Sequence, residues 1–400
     1  MSFKLLKMVF KVGNILAITP SYDSAKTETS YDKIYNYCMM AVITGGLAIS
    51  VRYRVPDYSN FPFMKAVVQV LLDSSLYVLN MYSILAALRK KPQWYKLLKN
   101  LKTVQTTLTN ENLHCSSFVV LNAIFCTYQV YMTWVVTYHI GSNFYKQFAI
   151  EYLQFYHHFV VNYLLFAFLK MLLERYQSVS KNLTNHLQLV KKLEKNGQKY
   201  TLLQLKKIKY DVCLLKESVD IVNSIFGWPI LLIVVFTSLQ MLVYLEQIVV
   251  RPHIPRTVVG YIIVIILWDS VSFRVSLTRI ILQLQMCLFT NIFLCDSVTN
   301  EGATILAEAY TLEKYFTNEN SKNHEDLRKF IDALKNNLPC FTAARFFVID
   351  RSTVFGIFDA VVSFLIVMIQ FEMSRSSKGG CQVCCNNNNN NNNNNETRID

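Results

Sequence analysis

The chain has 400 residues and a net charge of +13, with 52% hydrophobic and only 17% charged residues, against about 25% charged for a soluble globular domain. Its apolar residues are clumped in blocks, and its basic residues sit in a few connections between them, with no basic stripe interleaved with aromatics. That pattern excludes an ordinary soluble enzyme and a nucleic-acid-binding surface, and it predicts an all-α, polytopic membrane protein.

Residues 1–33 read as a cytosolic N-terminal segment. Lys4, Lys7 and Lys11 interrupt every apolar run there, so no signal-peptide core forms and the first span has to target the protein. A crossing takes about 20 helical residues. Seven segments supply them: 34–51, 63–88, 118–140, 148–172, 225–250, 258–280 and 354–373. They make one transmembrane domain over 34–373. The N-terminus and the even-numbered connections hold 28 Lys and Arg, and the odd-numbered connections and the tail hold 8. The asymmetry predicts a cytosolic N-terminus and, with an odd number of spans, an extracellular C-terminus. The sequon at Asn395 falls on the outer side, whereas the one at Asn182 falls in a cytosolic connection and should be unused.

Two cytosolic connections are long. In the fourth, Leu205, Ile208, Val212, Leu215, Val219 and Val222 recur at steps of three and four, one apolar stripe on a helix leading into the fifth span. In the sixth, Leu327, Phe330, Ile331, Leu334 and Leu338 form a second stripe ahead of Pro339. Both need apolar partners, which predicts a cytosolic helical layer that can join subunits. Residues 374–400, with ten consecutive asparagines from Asn386 to Asn395, read as a disordered extracellular tail.

The last span carries the most informative pattern. Ser352, Gly356, Asp359, Ser363, Ile366, Gln370 and Met373 share one helical face, and Val354, Phe358, Val361, Phe364, Leu365 and Ile369 occupy the others. A small and polar stripe cannot face lipid unpaired. It is either a pore wall, with Asp359 favouring cations, or a close-packing surface marked by Gly356-x-x-x-Ala360. One helix cannot enclose a pore, so the first reading requires several copies around an axis.

Oriented as above, the outer halves of spans two to six hold Asp73, Tyr77, Tyr131, Trp134, Tyr138, Tyr152, Tyr156, His157, Tyr244, Glu246, Tyr261, Trp268 and Asp269. Aromatic rings with polar handles suit a pocket for a small organic ligand, though an interfacial belt of Trp and Tyr has the same composition. Asp73, His157 and Asp269 lie deeper than a belt requires. The ten cysteines are scattered, and Cys381, Cys384 and Cys385 have no histidine nearby. The adjacent His157 and His158 point about 100° apart on a helix, so they read as packed histidines; no metal or other cofactor is expected. Phosphate-binding, metalloprotease and nucleophile-elbow motifs are missing, which leaves no catalytic residue to name.

The stretch Phe341–Phe371, FTAARFFVIDRSTVFGIFDAVVSFLIVMIQF, resembles the insect gustatory receptors, seven-span chemoreceptors related to insect odorant receptors. That family ends its last span in Thr-Tyr, five apolar residues and Gln-Phe; here Ser363-Phe364, five apolar residues and Gln370-Phe371 fill the frame. The phenolic oxygen is the group lost. Sugar receptors of the family carry an acidic residue after the Tyr, and Leu365 stands there, which points to bitter or other non-sugar compounds. The resemblance implies a tastant-gated, non-selective cation channel in the plasma membrane of gustatory neurons. It further implies a homo- or hetero-tetramer with Gln370 and Phe371 near the outer gate, and a tastant pocket in each subunit. Two competing readings are a seven-span receptor acting through a G protein, which needs an external N-terminus, and a proton-coupled transporter, which would show internal repeats.

Overall fold

Three lysines on one side of a short apolar repeat shape the beginning of the chain. In helix α1 (Phe3–Ile15), Leu5, Leu6, Val9, Phe10 and Gly13 are buried, while Lys4, Lys7 and Lys11 point outward. Phe10 meets Trp94 and Phe168 edge-on at 5.6 and 6.1 Å, and Trp94 meets Phe226 at 5.4 Å. The N-terminal helix is therefore a member of the main core. The lysines that break its apolar run in sequence all lie on its outer face, since charged residues three and four apart share one side of a helix.

The computed structural model describes residues 3–22, 30–59, 61, 63–104, 113–141, 143–192, 198–250, 273–316 and 321–390. After α1 come α2 (Ser30–Ser59), α3 (Phe63–Arg89), α4 (Lys91–Thr103), α5 (Leu113–Ile140), α6 (Asn143–Lys192), α7 (Gln198–Val250), α8 (Phe273–Phe316) and α9 (Ser321–Asn336). A two-stranded antiparallel hairpin, β1 (Thr342–Ala343) and β2 (Phe347–Val348), leads into α10 (Arg351–Asn390). α10 continues past the expected end of its apolar stretch at Met373 into the asparagine run.

Among the described residues, five helices are long and apolar enough to cross a membrane: Ser30–Pro56, Phe63–Arg89, Tyr145–Gln188, Gln204–Val243 and Arg351–Phe371. The protein is a multi-pass membrane protein with a nearly all-helical fold. The expected third span falls within α5, whose apolar stretch runs from Phe118 to Tyr131. Of the expected sixth span, 258–272 lie outside the described residues, and α8 starts at Phe273.

α6 and α7, with 50 and 53 residues, are about 75–80 Å long at 1.5 Å per residue. Hydrocarbon takes up only about 30 Å, so both project well past it. Leu205, Ile208, Val212, Leu215, Val219 and Val222 are all buried on α7. So are Leu327, Phe330, Ile331 and Leu334 of α9, which packs against α7 and α8. The second stripe ends sooner than its spacing suggested: α9 stops at Asn336, ahead of Pro339, whose ring sits against Gly302 of α8. A Cβ at Gly302 would come within 2.5 Å of two ring carbons.

Phe10→Ala should destabilise the fold by about 3–5 kcal/mol, as removal of a fully buried aromatic does. Thermal unfolding of the purified chain in detergent would measure it, with exposed Lys11→Ala leaving the midpoint unchanged.

Candidate pore helix and ligand pocket

The start of α10 is fixed by three local devices. Asn223 of α7 donates from Nδ2 to Cys340 O at 2.7 Å and accepts at Oδ1 from Thr342 N at 3.1 Å. A side-chain amide thus does for β1 what a neighbouring strand would. The chain then reverses at Ala344 and Arg345, both with positive φ (50° and 67°), and Phe346 N donates to Ala343 O at 2.9 Å. Two left-handed residues in a row are the hairpin geometry that matches strand twist.

Asp350 follows as the N-cap of α10. Its Oδ1 accepts from Thr353 N at 3.2 Å and from the Ser352 hydroxyl at 2.5 Å, and Asp350 N donates to Thr353 Oγ1 at 3.2 Å. This reciprocal pairing satisfies amides that a helix start leaves open. The Ser352 hydroxyl and the backbone amides hold the Asp350 carboxyl below the usual range. Arg351 Nε donates to Asp296 Oδ2 of α8 at 2.6 Å. The segment Phe346–Ser352, singled out by resemblance, thus turns the chain, caps the last helix and ties it to α8.

From there α10 divides into two sides. Ile357, Val361 and Met368 are buried, and Val354 and Leu365 are partly so. They pack on α7 and α8, and Met368 joins Val68 and Leu242. At 100° per residue this side is centred about half a turn from the polar stripe. Ser352, Gly356, Asp359, Ser363, Ile366 and Gln370 are all exposed. Among the described residues nothing comes within 4 Å of where a Gly356 Cβ would sit, so Gly356 makes no close packing contact with them. Phe371 is also exposed, about a quarter turn from the stripe. Phe358 stacks on Phe289 of α8 with ring centres 5.8 Å apart.

A pocket of about 560 Å³ opens between the end of α5 and the start of α6. Phe125, Gln129, Thr133, Trp134 and Thr137 line it from α5, and Tyr145, Tyr152 and Tyr156 from α6. Gly141, at φ 89°, begins the short link between the two helices, which brings both sets of side chains to one end. Thr133 donates to Gln129 O at 2.8 Å, and Thr137 donates to Thr133 O at 2.6 Å. Tyr156 donates to Asn122 Oδ1 at 3.0 Å.

Of the residues that the sequence placed in the outer halves of the spans, Trp134, Tyr152 and Tyr156 line this cavity, and Tyr138 stacks on Trp134 at 6.2 Å. Asp73 is engaged elsewhere. Its Oδ2 lies 3.2 Å from Arg54 Nη1 and accepts from Tyr58 at 2.5 Å, and the same Arg54 nitrogen is 3.1 Å from Glu151 Oε2. One buried guanidinium thereby joins α2, α3 and α6. Tyr77 lies within 3.1 Å of the Thr44 hydroxyl. His157 is fully buried with Nδ1 2.8 Å from Asn80 Oδ1. His158 packs edge-on against Phe236 at 5.1 Å with both ring nitrogens unpaired, so of the two packed histidines only His157 has a hydrogen-bonding partner. Trp268 and Asp269 lie outside the described residues. Among the described residues no cluster could hold a metal ion.

Sequence reasoning missed Gln129, Thr133 and Thr137. Cys126, Gln129, Thr133 and Thr137 recur at steps of three and four on an otherwise apolar helix, the same kind of signal that marked α10.

A profile described as 7tm Chemosensory receptor matches residues 6–375. The chain belongs to that family. The receptor is 40% identical over 88 residues to gustatory receptor 68a of Drosophila melanogaster, covering 21% of each chain. It is 35% identical over 85 residues to gustatory and pheromone receptor 32a of the same species, covering 21% of this chain and 17% of that one. The matched stretches thus span about a fifth of these relatives. Among solved structures, the receptor shares its fold with insect olfactory receptor OR5 of Machilis hrabei in complex with eugenol. That match has a TM-score of 0.55 at 12% identity, covering 92% of this chain and 99% of that one. The resemblance drawn from Phe341–Phe371 is borne out at the level of the family.

Asp350→Ala should cost about 1 kcal/mol by removing the cap, whereas Asp350→Asn, which keeps the accepting oxygen, should cost less. Because the folded carboxyl titrates below its unfolded value, its contribution is complete above about pH 4 and is lost as pH falls further. The gap in unfolding midpoint between the unmodified chain and Asp350→Asn should stay constant from pH 7 to 5 and narrow only below about pH 4.

Proposed function

We propose that this receptor is a subunit of a tastant-gated, non-selective cation channel. Four copies would surround a pore in the plasma membrane of gustatory sensory neurons. The observation that carries this reading is the division of α10: the side bearing Ile357, Val361 and Met368 packs within the subunit, and the opposite side, with its Ser, Asp and Gln, faces away from it, flanked by exposed Phe355, Val362, Phe364 and Val367. In lipid that side would leave polar groups unpaired. Around a shared axis, Asp359 would supply a ring of negative charge favouring cations, and Gln370 with Phe371 would stand near the outer gate.

The reading has seven spans, a cytosolic N-terminus and an extracellular C-terminus, with 374–400 on the outer side. The projecting parts of α6 and α7, together with α8 and α9, would form the cytosolic layer where subunits meet. In that orientation the α5–α6 pocket lies in the outer half of the subunit. The bound eugenol of the Machilis olfactory receptor supports a small organic ligand, and the gustatory relatives support a tastant. Leu365, where sugar receptors carry an acid, favours bitter or other non-sugar compounds. Ligand has to bind the open state more tightly than the closed one for gating to follow.

Voltage clamp of cells expressing the chain, with candidate partner subunits and a tastant panel, tests the proposal. Asp359→Asn should reduce cation over anion permeability several-fold, about 1 kcal/mol of lost charge stabilisation. Gln370→Ala and Phe371→Ala should change conductance or gating while surface expression persists. Currents like those of the unmodified chain from all three would remove this helix from the ion path.

A further inference from the structure

α3 and α10 both pack on α7 and scarcely touch each other, which leaves a groove between them with α7 as its floor. Val68, Leu242 and Met368, one from each helix, meet at one end of it. From there the floor runs along α7 through Leu239 and Val235 to Trp228, about 21 Å at 1.5 Å per residue. One wall runs along α3 through Leu71 and Val78 to Tyr82. Both sets recur at steps of three, four and seven, so each is one helical face. Leu71, Val78, Trp228 and Val235 are 42–50% exposed.

The other end of the groove differs from a bare apolar strip. The Trp228 ring lies 6.4 Å from Tyr82 and 6.0 Å from Phe346 of the hairpin. The hairpin turn rests on Gly227, with Ala344 N only 3.1 Å from where a Cβ would stand. Lys90 Nζ donates to the Ser224 carbonyl and, at 3.0 Å, to the Tyr82 hydroxyl, both neutral acceptors. Arg345 is exposed beside Phe346. Neither cation meets a carboxylate among the described residues, and the acids of the adjoining segments are engaged: Asp220 with Lys216, Asp296 with Arg351 and Asp350 with the first amides of α10. An apolar trough, a row of rings and two unneutralised cations, in that order, fit an acyl chain, the interfacial region and a phosphate. A second copy of the chain seated there would bury both cations unpaired, and a choline headgroup would bring a third. We propose that the groove holds one anionic phospholipid, its acyl chain along Val235 and Val78 and its phosphate at Lys90 and Arg345. Only the choice of the cytosolic leaflet rests on the orientation proposed above.

The test uses the purified full-length chain in lipid nanodiscs with Trp228 as its own probe, since bromine on an acyl chain quenches an indole that it touches. Phosphatidylserine with brominated chains, titrated into unbrominated phosphatidylcholine, should quench tryptophan emission at a mole fraction about tenfold or more below that needed for brominated phosphatidylcholine. Trp228→Phe should abolish that excess. Lys90→Gln and Arg345→Gln should each cut the preference about fivefold. If either variant fails to accumulate, added salt on the unmodified chain should cut the preference and leave the choline lipid unchanged. Equal quenching by the two lipids, an excess that survives Trp228→Phe, or one insensitive to both cations and to salt would each overturn the inference. So would the absence of Trp228 quenching by either lipid, which would mean that protein covers the groove. Selective quenching in nanodiscs without ligand-evoked current in cells would leave the lipid site standing and count against the channel. Currents with equal quenching would do the reverse.

Discussion

Hydrocarbon cannot solvate a row of Ser, Asp and Gln side chains, and most of this structure can be ordered around that constraint. α10 packs Ile357, Val361 and Met368 against its own subunit and turns the polar stripe to the opposite side, with exposed apolar residues between. A helix used in this way has few contacts with its own chain, so its position must be set from its ends. The Asn223 clamp, the two left-handed turn residues and the Asp350 cap lie within a short stretch just ahead of it. They fix where α10 starts and which way its stripe points. An error of one residue there would rotate the stripe by about 100° and carry Asp359 towards lipid.

The polar interior follows the same rule at other depths. Arg54 gathers Asp73 and Glu151, Asn80 faces His157, and Arg175 donates to the carbonyls of Leu101 and Met171. Each places a polar group of one helix against another helix or its own backbone, where a lipid-facing position would leave it unpaired. The rule is not met everywhere: both ring nitrogens of His158 and both ends of the Gln129 amide are buried without a hydrogen-bonding partner.

Much of this was legible in the chain. The stripe on the last span and the two amphipathic stripes on α7 and α9 repeat at helical spacing, and a periodic pattern survives reading in one dimension, whereas the motif leading into α10 was visible as a contiguous run of residues. The pocket was legible only in part. Trp134 and the tyrosines were visible as aromatics, but a list of aromatics cannot say which of them face each other. Asp73 and His157 looked like site residues because charged and titratable groups are rare in spans. Their partners, Arg54 and Asn80, are 19 and 77 residues away, and no local pattern announces them. The core role of α1 was hidden because its lysines break the run of apolar residues without disturbing the face that matters.

The long α6 has a mechanical consequence. Its hydrogen-bonded ladder is uninterrupted from Asn143 to Lys192. Tyr152 and Tyr156 near its beginning border the pocket, and Thr184 near its end donates to Glu308 of α8 at 2.5 Å. A continuous helix of that length bends only gently, so part of a displacement at one end is carried along it. If a guest wedged between α5 and α6 pushes one tip aside, the pivot is the glycine link at one end, and the far tip swings in return. Leverage over tens of ångströms would turn a shift smaller than a bond length into a movement large enough to re-seat a neighbour.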